Sequence, residues 1–138
     1  MLYVDTSAFV SMFVRESRSK AVVRFIEKRL DPIAISPWVL TETHSAISLK
    51  ARTRALTPAE ADEARARLSK AASRYLCESV VATDFDDASL HVARSHAALR
   101  AADALHLAIC RRLGAELLSF DVQMNAAALE LSIIVAAP

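Results

Sequence analysis

Apolar positions along this chain follow two alternating patterns, short β-rich runs and longer stretches with helical spacing. The short runs predict strands at Leu2 to Val4, Ile33 to Ile35, Val80 to Ala82, Glu116 to Ser119 and Ile133 to Val135. The longer stretches predict helices at roughly residues 7–14, 19–29, 37–52, 58–75, 86–99 and 102–113, with a short one from residue 122. Strands that alternate with helices predict a parallel sheet covered on both faces, so the expected fold is a three-layer α/β/α sandwich.

Helix-boundary residues agree with this assignment. Ser36-Pro37 is typical of an N-cap followed by the first helical residue, and Thr57-Pro58 repeats the pattern with Glu60 in the first turn. Gly114, the only glycine, falls just beyond a predicted helix, where it would end that helix. Residues 54–57 are then the turn between two long helices.

Length and composition indicate one domain spanning residues 1–138. The 54% hydrophobic content is enough for a core, and one Gly and four Pro exclude collagen-like and Pro/Gly-rich disordered classes. The first residues lack a secretory signal and no apolar run reaches membrane-spanning length, which predicts a cytoplasmic protein with no membrane contact. Cys77 and Cys110 lack metal-ligand spacing and are interpreted as buried structural thiols.

Four acidic residues follow predicted strands or lie near helix starts, namely Asp5, Glu42, Asp103 and Asp121. Ligands of open α/β sheets bind beyond the carboxyl ends of the strands, where Asp5 and Asp121 fall. Each of these two could equally be a helix N-cap. Asp103 could simply stabilise a helix by placing its negative charge at the positive N-terminal end, an interaction that contributes about 0.3–1 kcal/mol.

Glu42 lies on an apolar helix face, with no Lys or Arg one turn away to neutralise it. Two charges about 4 Å apart repel by about 4 kcal/mol at an effective dielectric near 20, so a converging set must take up protons or cations. Because no basic residue is expected among these acids, their all-oxygen chemistry predicts a site for Mg²⁺ or Mn²⁺.

Other polar residues near these positions could have either a role in the site or a purely structural role. Thr6, Ser7 and Ser119 are candidates for holding ligands or water, or for capping turns. Asn125, one turn after Asp121, is a candidate for the same pocket or for a surface position. His106, one turn after Asp103, favours a structural hydrogen-bonding role over metal ligation.

The charge balance changes once these four acids are set aside. The 17 basic residues then face 12 acidic ones, a balance of +5. Much of the excess lies between Lys50 and Arg74, which suits phosphate contacts with a polyanion or forms an ordinary solvated surface.

Together these motifs resemble the PIN-domain nucleases, most closely the VapC-type ribonuclease toxins of bacterial toxin-antitoxin pairs. The resemblance covers nearly the whole chain and rests on Asp5-Thr6-Ser7, the Ser36-Pro37 entry to the Glu42 helix, residues 101–108, and Leu117-Leu118-Ser119-Phe120-Asp121. The family commonly has Thr where Ser119 stands, and Gly near Leu131 or Ser132.

The resemblance implies strand order 3-2-1-4-5, cleavage of RNA by Mg²⁺ or Mn²⁺, and catalytic metal ligands at Asp5, Glu42, Asp103 and Asp121, supported by Thr6, Ser119 and Asn125. It also implies a cognate antitoxin and a homodimer. A catalytically silent PIN scaffold that binds RNA or protein is the alternative. A phosphatase-like fold is a weaker one, since Ser7 stands where a second Asp is usual.

Overall fold

A parallel sheet of four strands lies at the centre of the computed structural model, which describes all 138 residues. The strands are β1 (Leu2–Val4), β2 (Ile33–Ile35), β3 (Leu76–Cys77) and β4 (Glu116–Leu118), in the order β3-β2-β1-β4. Register pairs Tyr3 with Ala34 on one side and with Leu117 on the other. The predicted α/β sandwich is confirmed, as is the predicted order for four strands.

Seven helices surround the sheet. They are α1 (Thr6–Val10), α2 (Ser19–Glu27), α3 (Pro37–Arg52), α4 (Pro58–Ala72), α5 (Ala82–Arg94), α6 (Ala101–Arg112) and α7 (Val122–Glu130). Helix α3 contacts α1 and α4, whereas α6 contacts α5 and α7. The group around α3 lies on one face of the sheet and the group around α6 on the other. Right-handed crossovers dictate this, because the chain moves across the sheet in one direction from β1 to β3 and in the opposite direction from β3 to β4.

The core is one cluster of 32 buried apolar residues that spans both faces of the sheet. The three residues of β1 are fully buried, as expected for a central strand covered on both faces. Phe9 packs edge-on against Phe13 and Tyr75, with ring centroids 5.0 and 5.3 Å away, which fixes α1 over the sheet. Residues that follow β1 and β4 are therefore delivered to a rigid edge.

Two of the five predicted strands are wrong. The edge strand is Leu76–Cys77, and Val80 to Ala82 is not a strand, because the Asp84 carboxylate accepts the Val81 N–H at 2.9 Å and starts α5 there. At Ile133 to Val135 only an isolated parallel bridge forms, between Val135 and Leu117. Cys77 is exposed on its edge strand, contrary to the expectation of a buried thiol, whereas Cys110 is buried.

Helix boundaries follow the sequence signals where a cap is present. Helix α3 spans the predicted residues, with the Ser36 hydroxyl accepting the Val39 N–H, and Thr57 and Glu60 form the capping box of α4. Gly114 adopts φ +59° just beyond α6, as its predicted role as a helix stop requires. The α5 boundaries were predicted about four residues too late, because Val80 and Val81 suggested a strand. None of the helices combines the length and apolar character needed to cross a membrane.

Candidate metal and RNA-cleavage site

A cavity of about 510 Å³ opens at the carboxyl ends of β1 and β4 and brings the four predicted acids together. Asp5, Glu42, Asp103 and Asp121 all line it, although they come from four separate parts of the chain. The other lining residues are Thr6, Ser7, Val10, Ser45, Ala46, Leu49, Arg100, His106 and Met124. The cavity is therefore acidic at its base and partly apolar on its walls.

Asp5 follows β1 and is both the N-cap of α1 and part of the cavity wall. Its Oδ1 accepts the Ala8 N–H at 2.9 Å, and its Oδ2 accepts the Ser119 hydroxyl at 2.8 Å. Ser7 donates to the same carboxylate, at 2.8 and 2.9 Å to its two oxygens. Burial raises the pKa of Asp5 above its ordinary value, and these hydrogen bonds offset the effect only in part.

Glu42 has polar partners that are distant in sequence. Nε2 of His106 lies 2.7 Å from its Oε2, and the Thr6 hydroxyl donates to the same oxygen. Since an ionised carboxylate only accepts, Nε2 carries a proton and donates to Glu42, while the Tyr3 hydroxyl lies 3.0 Å from Nδ1 of the same ring. Burial is the largest single influence and raises the pKa of Glu42, but the hydrogen bonds from His106 and Thr6 together with the charges of His106 and Arg100 hold the pKa below its ordinary value.

Asp103 and Asp121 share a basic partner, which corrects the expectation that no Lys or Arg neutralises the acidic set. Nε of Arg100 donates to Oδ2 of Asp103 at 2.8 Å, and its Nη2 donates to Oδ1 of Asp103 at 3.3 Å and to Oδ2 of Asp121 at 3.2 Å. The remaining oxygen of Asp121 caps α7 by accepting the Met124 N–H at 2.8 Å. These contacts with Asp103 and Asp121 raise the pKa of Arg100, so the guanidinium is firmly charged.

The three predicted supporting residues take different places. Thr6 lines the cavity and contacts Glu42, whereas Ser119 and Asn125 are not among the lining residues. Ser119 is buried and orients two acids, since it donates to Asp5 and accepts the Asp121 N–H at 3.0 Å. Asn125 donates to the Ser119 carbonyl at 3.1 Å, so its contact is with the end of β4.

Sequence reasoning missed Arg100 and Tyr3. Arg100 precedes α6 and stands three residues before Asp103, a spacing that could have suggested the first ion pair but not the contact with Asp121. Tyr3 is fully buried in β1, and its hydroxyl joins Ser36 to His106 at 3.0 Å each. Only the folded arrangement relates Tyr3 to the site.

The donor set suits a hard divalent cation, because its four carboxylates provide only oxygen ligands in one cavity. No three His, Cys, Asp or Glu side chains converge closely enough to form a ready-made site, and protein donors engage each of the four acids. Arg100 nevertheless shows that the Asp103 and Asp121 side holds a cation. The residues therefore fit such an ion if the Arg100 guanidinium moves away from Asp103 and Asp121.

Comparison with known proteins gives a match that agrees with this geometry. The family model described as "PIN domain" matches residues 2–129, which include all four acids. This chain belongs to the PIN domain family. A search of curated proteins found no match.

Several solved structures share the PIN fold of this chain. Mycobacterium tuberculosis VapC20, a sarcin-ricin loop cleaving toxin, has a TM-score of 0.76 and 21% identity, with 100% of both chains covered. VapBC2 from Rickettsia felis, bound to a promoter DNA fragment, has a TM-score of 0.69 and 15% identity over 99% of this chain and 98% of that one. A toxin-antitoxin complex from Klebsiella pneumoniae has a TM-score of 0.63 and 17% identity, covering 88% and 87%. The resemblance to VapC-type proteins is thus confirmed in fold.

Proposed function

We propose that this PIN-domain protein is an endoribonuclease dependent on Mg²⁺ or Mn²⁺, and that it is the toxin of a toxin-antitoxin pair. The observation that carries the proposal is the convergence of Asp5, Glu42, Asp103 and Asp121 on one cavity at the carboxyl edge of the sheet. Four unrelated surface charges from separate parts of the chain would not gather in this way.

The chemistry of RNA hydrolysis fits this arrangement without a protein nucleophile. Asp5, Glu42, Asp103 and Asp121 would hold a divalent cation, which would acidify a bound water and offset charge on the phosphoryl group and the leaving oxygen. The protein's part is to hold the carboxylates in position: Ser119 and Ser7 orient Asp5, while His106 and Thr6 orient Glu42. Such support fixes the orientation of each carboxylate at the cavity.

The partners follow from the same proposal. RNA would reach the cavity over a surface that carries exposed Arg52 and Arg54 at the end of the α3–α4 hairpin. A cognate antitoxin and a homodimer are proposed on the family resemblance, and one relative was solved as a toxin-antitoxin complex. Exposed apolar Phe85 and Val92, four-tenths or more accessible on α5, support a protein-binding surface. We propose that the protein acts in the cytoplasm as one domain.

A catalytically silent PIN scaffold is the second candidate. It is favoured by Arg100, which pairs with Asp103 and Asp121, and by the absence of any three His, Cys, Asp or Glu side chains grouped as metal ligands. Such a protein would bind RNA or another protein through the same surfaces without cleaving.

Asp103→Asn is the test that separates the two candidates. The substitution keeps side-chain volume and removes a charge from a residue that is 7% exposed, so we expect a folded protein without Mg²⁺- or Mn²⁺-dependent RNA cleavage. Cleavage is followed on gels with and without EDTA, and circular dichroism verifies the fold. Asp62→Asn is the control, because Asp62 is an exposed residue of α4 outside the cavity. Wild-type cleavage in EDTA or by Asp103→Asn would contradict the assignment, and no cleavage by the wild-type protein under any metal would favour the silent scaffold.

A further inference from the structure

Arg100 is the one basic residue other than His106 in the wall of the acidic cavity, and it bridges two of the four acids. Its guanidinium contacts both oxygens of Asp103, which lies in the first turn of α6, and one oxygen of Asp121, which caps α7. A single cation thus joins carboxylates from two helices, α6 and α7.

The other two acids are satisfied differently. Asp5 is held by hydroxyls and a backbone N–H, and Glu42 by His106 and Thr6. Only Asp103 and Asp121 contact the guanidinium of Arg100 directly. Asp103 is 7% exposed, and a buried carboxylate without a partner is strongly unfavourable, so a charged Asp103 needs a cation beside it.

Arg100 is nevertheless weakly anchored. Its side chain is 74% exposed, and all its hydrogen bonds go to the two acids. Arg112, on the same helix, provides a contrast: its side chain is 32% exposed, and it bonds both the fully buried Asp84 and the Ser79 carbonyl. Arg112 is built into the fold, whereas the Arg100 side chain lies largely in solvent, which screens its ion pairs and lets the side chain move away when another cation takes its place.

We propose that Arg100 is an exchangeable counter-ion, which holds Asp103 and Asp121 in the metal-free protein and leaves them when a divalent cation binds. This inference rests on the proposed metal-dependent function and adds a residue to it. The exchange keeps the acids neutralised in both states, so the cavity never contains four uncompensated carboxylates. It also leaves a guanidinium at the cavity rim, where an incoming RNA phosphate would meet it.

Arg100→Gln tests the exchange through metal affinity rather than activity. Without the competing guanidinium, calorimetry should show Mn²⁺ binding about two- to tenfold more tightly, the range that one or two exposed ion pairs give. Arg111→Gln is the matched control, since it removes the same charge from an exposed position of α6, about 16 Å from Arg100 along the helix axis. Its affinity for Mn²⁺ should stay close to that of the wild-type protein.

Nuclear magnetic resonance provides a direct view of the same step. The resonance of the Arg100 Nε–H is assigned by its loss in Arg100→Lys. Without metal this proton should exchange slowly with water, because it is hydrogen-bonded to Asp103. Addition of Mg²⁺ should shift the resonance and speed its exchange with water. The inference is overturned if Mg²⁺ saturates the protein while that signal stays in place, or if Arg100→Gln binds Mn²⁺ no more tightly than Arg111→Gln does. Absence of any Mn²⁺ or Mg²⁺ binding by the wild-type protein would instead refute the metal-dependent function on which the inference rests.

Discussion

Tyr3→Phe is a sharp test of how the fold supports the site, because it removes one oxygen atom from a fully buried ring. The Tyr3 hydroxyl lies 3.0 Å from Ser36 Oγ and 3.0 Å from His106 Nδ1. His106 in turn contacts Glu42 at 2.7 Å, so the hydroxyl is the inner end of a chain that reaches the cavity. The substitution therefore perturbs both stability and the position of a candidate ligand.

The expected loss of stability follows from the two bonds. Each buried neutral hydrogen bond contributes about 0.5–1.5 kcal/mol net, so the free energy of unfolding should fall by about 1–3 kcal/mol. Burial raises the pKa of Tyr3, so the hydroxyl stays protonated and able to donate at neutral pH. Loosening of His106 should also reduce metal-dependent cleavage by about tenfold, as removal of an outer partner of a metal ligand does.

Urea unfolding followed by circular dichroism measures the first effect, and RNA cleavage under matched conditions measures the second. Tyr75→Phe is the control, since the Tyr75 ring packs against Phe9 but its hydroxyl makes no hydrogen bond within the protein. That change should stay within about 0.5 kcal/mol of wild type. The reasoning is refuted if Tyr3→Phe costs no more stability than Tyr75→Phe, or if cleavage is unaffected in a protein destabilised as expected.

Two further measurements examine charge. RNA binding in EDTA should weaken steeply as the salt concentration rises. An Arg52→Gln/Arg54→Gln double variant should reduce the steepness of log K against log salt by about 0.7 for each RNA phosphate that it no longer neutralises. An unchanged slope would show that these two residues belong to an ordinary solvated surface. For metal-free protein, burial raises the folded pKa of Asp5 above its unfolded value near 3.9, so the contribution of Asp5 to stability decreases as pH rises from that value through the folded pKa. Asp5→Asn should therefore be more stable than wild type at neutral pH in urea melts and lose this advantage in acid, whereas a difference independent of pH would contradict the assigned cause.

The parts of the fold that local sequence determines were predictable. Helix α3 begins where Ser36 and Pro37 indicate, and three strands lie where β-rich runs predict them, because these signals depend on neighbouring residues only. Val80 and Val81 misled the assignment, since β-branched residues favour extended backbone whether or not a strand partner is present. The actual edge strand has two exposed residues, too few to show a periodic pattern.

The site was predictable in its acids but not in their partners. Strand ends and helix starts identify where Asp5 and Asp121 lie, and the parallel sheet then brings them to one edge. The contacts of Glu42 with Thr6 and His106 span 36 and 64 residues, and Arg100 reaches Asp121 across 21. Such contacts follow from tertiary packing, and no local pattern contains them. The expectation of an unneutralised acidic cluster failed for this reason.

The sequence left open whether Asp121 is a helix cap or a metal ligand. The two roles are compatible, because they use different oxygens of the carboxylate. Oδ1 accepts the Met124 N–H and fixes the start of α7, while Oδ2 faces Arg100 and the cavity. Capping uses one oxygen and holds the side chain still, so the second oxygen is presented in a fixed direction at no further cost in side-chain entropy. Asp5 shows the same use of Oδ1, with its Oδ2 held by Ser119. Capping thus fixes the direction of both carboxylates at the cavity, and the proposed metal site would make use of that fixed direction.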